Sequence, residues 1–350
     1  MAVAFAAAIF LLQQFISAYM TKQKPLYLFH LLALCIVCVW GTTFVSTKTL
    51  ISNGLTPTEI FIYRFALAYI CVLFMAPRRL FADTFADEMM MIAAGLTGGS
   101  VYFITENTAL GMMQATNVAI LISVTPLLAT LVGMAVFRSE RTKRPERVIL
   151  GSVVAMAGVV VILWNGGDFA AFNPCGTALT FSAALSWAVY SLLVKKLSQR
   201  YDNVFISRKV FGYGLLSMAV WVPFFHPVSF RLEQLLVPTV FFNILFLGLV
   251  ASMLCFTLWN AVVRHLGMVR ASNYINFNAV ATFVAAFLIL GEHVSAVALV
   301  GSAAVIFGVW LAEGKYWSKI PIKWNSGNME HFQIHSDSVS IGKNALLCIK

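Results

Sequence analysis

The chain has 350 residues, of which 60% are apolar and 11% charged, with a mean hydropathy of +0.84. An ordinary water-soluble domain is nearer half apolar and a quarter charged, so this composition excludes one and points to a membrane. The formal charge of +10, from 24 Lys and Arg against 14 Asp and Glu, would elsewhere suggest nucleic acid, but charges this sparse act through where they lie.

Residues 1–24 open with an apolar run from Met1 to Tyr19. The run lacks the basic start and small-residue cleavage site of a signal peptide. An eleventh helix there would put the N-terminus outside; the better reading takes Met20-Thr-Lys-Gln-Lys as the natural start and residues 1–24 as an extension.

A bilayer core takes about 20 mostly apolar residues per helix. Residues 25–165 then contain spans near 28–48, 58–76, 89–110, 116–137 and 147–164, and residues 170–314 contain spans near 176–197, 207–224, 239–262, 269–290 and 295–313. Turn chemistry separates them: Ser52-Asn53-Gly54, the basic run Arg138 to Arg147 with Pro145, Asn165-Gly166-Gly167-Asp168, and His226-Pro227. Residues 315–350, rich in Ser, Asn, Lys and His without apolar period, read as a polar cytoplasmic tail. Alternating the spans from a cytoplasmic start puts every basic residue inside except Lys48, Arg64 and Arg231. By the positive-inside rule both ends of the ten-helix bundle are cytoplasmic, in a multi-pass cell (inner) membrane protein, and the basic surplus needs no nucleic acid.

The two halves resemble each other. Leu110-Gly-Met-Met-Gln-Ala-Thr-Asn117 returns as Leu266-Gly-Met-Val-Arg-Ala-Ser-Asn273, and Trp40 and Lys48 return as Trp187 and Lys195. Five spans per half is an odd number, so the second copy enters the bilayer upside down, the architecture of carriers that work by alternating access. The fold class expected is an all-α integral membrane protein of ten transmembrane helices in two inverted five-helix repeats.

Trp40-Gly-Thr-Thr-Phe-Val-Ser-Thr-Lys48, the Ala-Thr-Asn-Val opening of the fourth span followed by Thr125-Pro126, and Gly291-Glu292 closing the ninth resemble the EamA family of the drug/metabolite transporter superfamily. The resemblance covers about residues 28–313 and implies an inner-membrane carrier, commonly an exporter of amino acids or related metabolites. Asn278-Ala279 departs from it, since the second copy usually has a proline after the polar residue. The resemblance therefore carries no helix break to that point.

Glu106 is the acid that falls within a span, where a charged side chain costs about 2.5–3.5 kcal/mol and needs an inward position and a partner. Lys48 and Arg64 lie toward the same outer side. The three make a candidate site in which the cations hold a substrate carboxylate and Glu106 takes an amino group or a proton; the alternative is a static ion pair, with Lys48 reaching for the interface. Asn107, Asn117, Asn273 and Asn276 can bind a zwitterion or serve as interhelical glue, with Asn278 on another face. Trp40, Trp187, Tyr190 and Tyr274 can cage an apolar or aromatic moiety.

Enzyme signatures such as HExxH, GxSxG, a Walker loop or GxGxxG are absent, the six histidines are dispersed, and no cofactor or metal is expected. Cys35 and Cys38 read as small apolar fillers rather than a redox pair. The expected function is a secondary carrier exporting small metabolites, amino acids or derivatives first among them, with proton coupling through Glu106. The rival is an intramembrane enzyme or lipid-handling protein using Glu106 as acid/base. The partners expected are a small-molecule substrate and the bilayer, for a monomer or homodimer.

Overall fold

The computed structural model describes residues 26–75, 80–136, 150, 151, 153–158, 161, 173–225, 232–292 and 295–313. The expectations for residues 1–24, the basic run 138–147, most of the fifth span and the tail 315–350 lie outside them. Among the described residues the regular structure is helical, without a strand. The first four helices are α1 Leu26–Ser52, α2 Pro57–Met75, α3 Phe85–Gly95 running through a π turn at Leu96–Val101 into Tyr102–Met112, and α4 in two pieces, Ala115–Ile122 and Thr125–Val136. Then come α5 Pro174–Leu197, α6 Asn203–Phe225 and α7, which is Pro238–Leu245, a π turn Phe246–Leu254 and Cys255–Leu266. Last are α8, Met268–Asn273 and Asn276–Ala285 ending in a π turn Ala286–Leu290, and α9 Ala296–Glu313. Among the described residues six helical stretches are long and apolar enough to cross a membrane: α1, α2, α4, α5, α7 and α8.

The ends follow local chemistry. Thr84 caps α3 by accepting from the Asp87 amide, and Asn173 caps α5 by accepting from the Gly176 amide, with Pro174 at the first helical position. Gly267 ends α7 at φ 84° and Gly291 ends α8 at φ 65°, backbone conformations that a side chain disfavours.

Helix starts place the two halves in a different register from the eight-residue likeness. Phe85 of α3 and Pro238 of α7 are 153 residues apart, as are Ala115 of α4 and Met268 of α8, whereas Asn117 and Asn273 are 156 apart. Asn117 and Asn273 therefore do not occupy matching places. The cause is capping: Leu266-Gly267 closes α7, while Leu110-Gly111 still lies inside α3.

Between helices in lipid the hydrophobic drive is weak, so close approach and polar contacts hold the bundle. A Cβ on Gly41 of α1 would fall 2.5 Å from Ala281 Cβ and 2.7 Å from Asn278 O of α8, so glycine is what allows this crossing. The Thr282 hydroxyl of α8 donates to Gly41 O at 2.8 Å there. The π turns widen their helices and turn carbonyls toward neighbouring side chains. Ser186 of α5 donates to Thr97 O at 2.7 Å in the first, and Trp40 of α1 donates to Ala251 O at 3.0 Å in the second.

At one end of the bundle Arg200 and Tyr201, in the α5–α6 link, bind Asp87, and Lys209 and Tyr213 of α6 bind Glu88. Both acids precede the apolar part of α3. Burial pushes the Asp87 carboxyl up, but hydrogen bonds from Tyr201, Thr84 and Arg200 outweigh it and hold the group below the ordinary carboxylate range.

Candidate functional site

A cavity of about 420 Å³, counted out to its mouth, lies between α1–α5, α7 and α8. Its walls pair residues at fixed spacings in the two halves: Trp40 with Trp187, 147 residues apart, and Phe103 with Phe256, Ile122 with Ile275 and Thr125 with Asn278, each 153 apart. The two indoles meet edge to face, with centroids 5.2 Å apart at 86°. Tyr102 stands 4.9 Å from Trp187, and Phe256 stands 5.4 Å from it.

The charges break this pairing. Arg64 and Glu106 both line the cavity, and both come from the first half. Counted at the same spacings, their second-half counterparts are Phe211 and Trp259. Arg64 is 2% exposed; its Nε donates to the Ser252 hydroxyl at 2.9 Å, and its guanidinium lies 4.2 Å from the centre of the Phe103 ring. Such a contact favours a cation in a desolvated place. Glu106 is 5% exposed and accepts from the Tyr102 hydroxyl at 3.0 Å. Among the described residues the ion pairs within 4.0 Å do not include Arg64 with Glu106. Arg64 and Glu106 therefore face one cavity beyond salt-bridge distance, each held by its own partner, and their opposite charges attract across it.

Three further polar atoms of the wall are buried without a protein partner: Thr125 Oγ1, Asn278 Oδ1 and Trp187 Nε1. Thr125 and Asn278 follow the interruptions of α4 at Ser123-Val124 and of α8 at Tyr274-Ile275. Broken membrane helices of this kind belong where the backbone lines a cavity.

The other expected residues go elsewhere. Lys48 does not join Arg64 and Glu106: its ammonium donates to Met113 O and lies 3.9 Å from Glu292. Glu292, buried at the α8–α9 link, accepts from the Ala115 amide at 3.0 Å, the Thr116 amide at 3.1 Å and the Thr116 hydroxyl at 3.0 Å, capping α4 from the other half of the chain. Asn107 is fully buried and donates to Pro57 O. Asn117, Asn273 and Asn276 lie outside the cavity wall. Tyr190 packs 5.0 Å from Trp187, and its hydroxyl donates to Asn260. Tyr274 contacts His30 through its hydroxyl at 2.6 Å. Cys35 and Cys38 are exposed.

Sequence reasoning missed Tyr102, Thr125 and Asn278. Tyr102 is four residues before Glu106 and so shares its helix face, a signal present in the spacing. Along one continuous helix from Asn273, Asn278 falls on another face; the turn at Tyr274-Ile275 changes the phase and brings it to the wall. Among the described residues no group of three His, Cys, Asp or Glu is placed to hold a metal.

The chain matches the model of the EamA-like transporter family over residues 28–164 and 175–313. An uncharacterized transporter of Archaeoglobus fulgidus is 25% identical over 295 residues, 82% of this chain and 97% of that protein. A probable amino-acid metabolite efflux pump of Salmonella typhimurium is 25% identical over 294 residues, covering 80% and 93%. A probable terminal-alkyne amino-acid exporter of Streptantibioticus cattleyicolor is 29% identical over 228 residues, covering 65% and 73%. A solved crystal structure with 17% identity aligns with a TM-score of 0.56 over 85% of this chain and 99% of its own, a likeness of fold.

Proposed function

Because the chain belongs to the EamA-like transporter family and is a membrane transporter of that type, we propose that it exports amino acids or close derivatives. The carrying observation is the placement of Arg64 and Glu106, opposite charges beyond salt-bridge distance, in one aromatic cavity. A zwitterion bridges the two: its carboxylate meets the guanidinium, and its ammonium meets the Glu106 carboxylate. Charge-assisted hydrogen bonds of this kind contribute about 1.5–3 kcal/mol each. Trp40, Trp187 and the cavity phenylalanines then enclose the apolar part of the solute. Two relatives whose names include amino-acid export support the choice of substrate.

On this reading the two family-matched halves are inverted five-helix repeats, ten spans in all, with both ends of the bundle in the cytoplasm of the inner membrane. Paired residues on both sides of the cavity support rocking of one half against the other, which exposes the solute to each side in turn. Glu106 carries a proton when no ammonium is bound, which couples export to proton entry. Lys48 and the amides outside the cavity serve helix packing.

The test is efflux of labelled amino acids from proteoliposomes containing wild-type protein or Glu106→Gln, across the neutral pH range. Wild-type flux changes with pH; in the variant it falls by at least about tenfold, one such interaction lost, and the pH dependence disappears. Unchanged rate and pH dependence in Glu106→Gln would remove Glu106 from the mechanism.

A further inference from the structure

We propose that Ser252 of α7 is a positioning residue for the solute: its hydroxyl holds the Arg64 guanidinium in the orientation that receives the solute carboxylate. This rests on the amino-acid reading above and deepens it by naming a residue that acts through Arg64.

The two halves meet at this bond. Arg64 belongs to α2 in the first half, and Ser252 lies in the π turn Phe246–Leu254 in the second. Ser252 is fully buried. The Thr257 hydroxyl of the same helix donates to its own backbone at Met253 O, 2.8 Å away, a common resort of helical hydroxyls. That of Ser252 accepts from Arg64 Nε at 2.9 Å. The neighbouring Ala251 carbonyl takes the Trp40 indole N–H, so adjacent residues of one π turn fix both a charge and a ring of the cavity wall.

The corresponding joint between α6 and α3 has neither the cation nor the hydroxyl. At the spacings of 147 and 153 residues Arg64 corresponds to Phe211 and Ser252 to Gly99. A Cβ on Gly99 would fall 3.3 Å from Gly214 Cα and from the Phe65 ring, and Phe211 packs on Phe65 with ring centroids 5.1 Å apart. That joint is tight and apolar. The hydroxyl stands in the joint that carries the charge.

Arginine binds a carboxylate best through two parallel N–H bonds, which requires a fixed guanidinium plane. Phe103 covers one face of that plane at 4.2 Å, and Ser252 engages Nε–H. The N–H groups of the two Nη atoms are then the ones that meet the cavity Arg64 lines. Glu106 keeps its own hydrogen bond from Tyr102, so the ammonium end of the solute does not depend on Ser252.

Phenylalanine and phenethylamine, which differ by the carboxylate, are the probes. In proteoliposome counterflow Ser252→Ala should raise the KM for phenylalanine about three- to tenfold, the value of one oriented hydrogen bond. Inhibition by phenethylamine should stay within about twofold of wild type. Ser252→Cys, a weaker acceptor in the same place, should fall between and serves if the alanine variant does not fold. In an Arg64→Lys background, which has no Nε–H, Ser252→Ala should change the KM by less than about twofold; the amine comparison decides alone if that background carries nothing. An unchanged KM, an equal loss for the acid and the amine, or a full effect in the lysine background overturns the inference and leaves the amino-acid reading standing. Absence of phenylalanine transport by the wild type overturns both.

Discussion

Replacing Glu292 with alanine tests how the two halves are joined at the Lys48 end of the bundle. The carboxylate receives two backbone amides at the start of α4, the Thr116 hydroxyl and, at 3.9 Å, the Lys48 ammonium. Its loss uncaps α4, worth about 0.5–2 kcal/mol, and leaves a buried hydroxyl and a half-buried cation with one partner fewer, each worth about 1–3 kcal/mol. These losses share one group and do not add in full, so the expected cost is about 2–4 kcal/mol. In detergent the midpoint of thermal unfolding should fall by roughly 4–8 °C. Glu292→Gln keeps one acceptor without the charge and should lose about half as much. Lys48→Met should cost less than Glu292→Ala, because the amides and hydroxyl of α4 stay capped, and the two changes together should cost less than their sum. An alanine variant that unfolds within 1 °C of wild type, roughly the scatter of such a measurement, would refute the claim that this carboxylate joins the halves.

Gly41→Val places side-chain atoms against Ala281 and the Asn278 carbonyl, at distances where α8 must shift; it should destabilise by about 1–3 kcal/mol and reduce flux, read by thermal unfolding and counterflow. Tyr102→Phe removes the hydrogen bond to Glu106 with little change of volume; a shift in the pH dependence of flux larger than the change in stability is the expected signature. Asp87→Asn tests the other end of the bundle. The folded carboxyl lies below its ordinary range, so its stabilisation is present at neutral pH, above the unfolded value near about 4, and is lost as pH falls through the lowered folded value. Wild type should therefore exceed Asp87→Asn in unfolding temperature at neutral pH, and the gap should close in acid.

Much of this protein is legible in its sequence because lipid imposes one-dimensional rules. Long apolar runs must be helices, since backbone groups in a bilayer have to be paired within the segment. The apolar stretches and their turn punctuation accordingly locate the helices described over 26–136 and 173–313 within a few residues. The same rules single out Glu106 and Arg64, because a charge in such a run needs an inward position, and Trp40 and Trp187 stand out as partners at one spacing.

Tertiary structure decided what one-dimensional rules cannot reach. It parted Lys48 from Arg64, although both lie toward one end, because Glu292 and the Met113 carbonyl are closer in space. It moved the register of the halves from 156 to 153 residues and brought Asn278 rather than Asn276 to the cavity. The physical reason is that a π turn, a Gly267 cap or a two-residue interruption rotates every later side chain by a large fraction of a turn, and a hydropathy profile does not record that rotation. Composition and periodicity therefore determined that this chain is a bundle of membrane helices with charge inside it, and the phase breaks within those helices determined which side chains share a cavity.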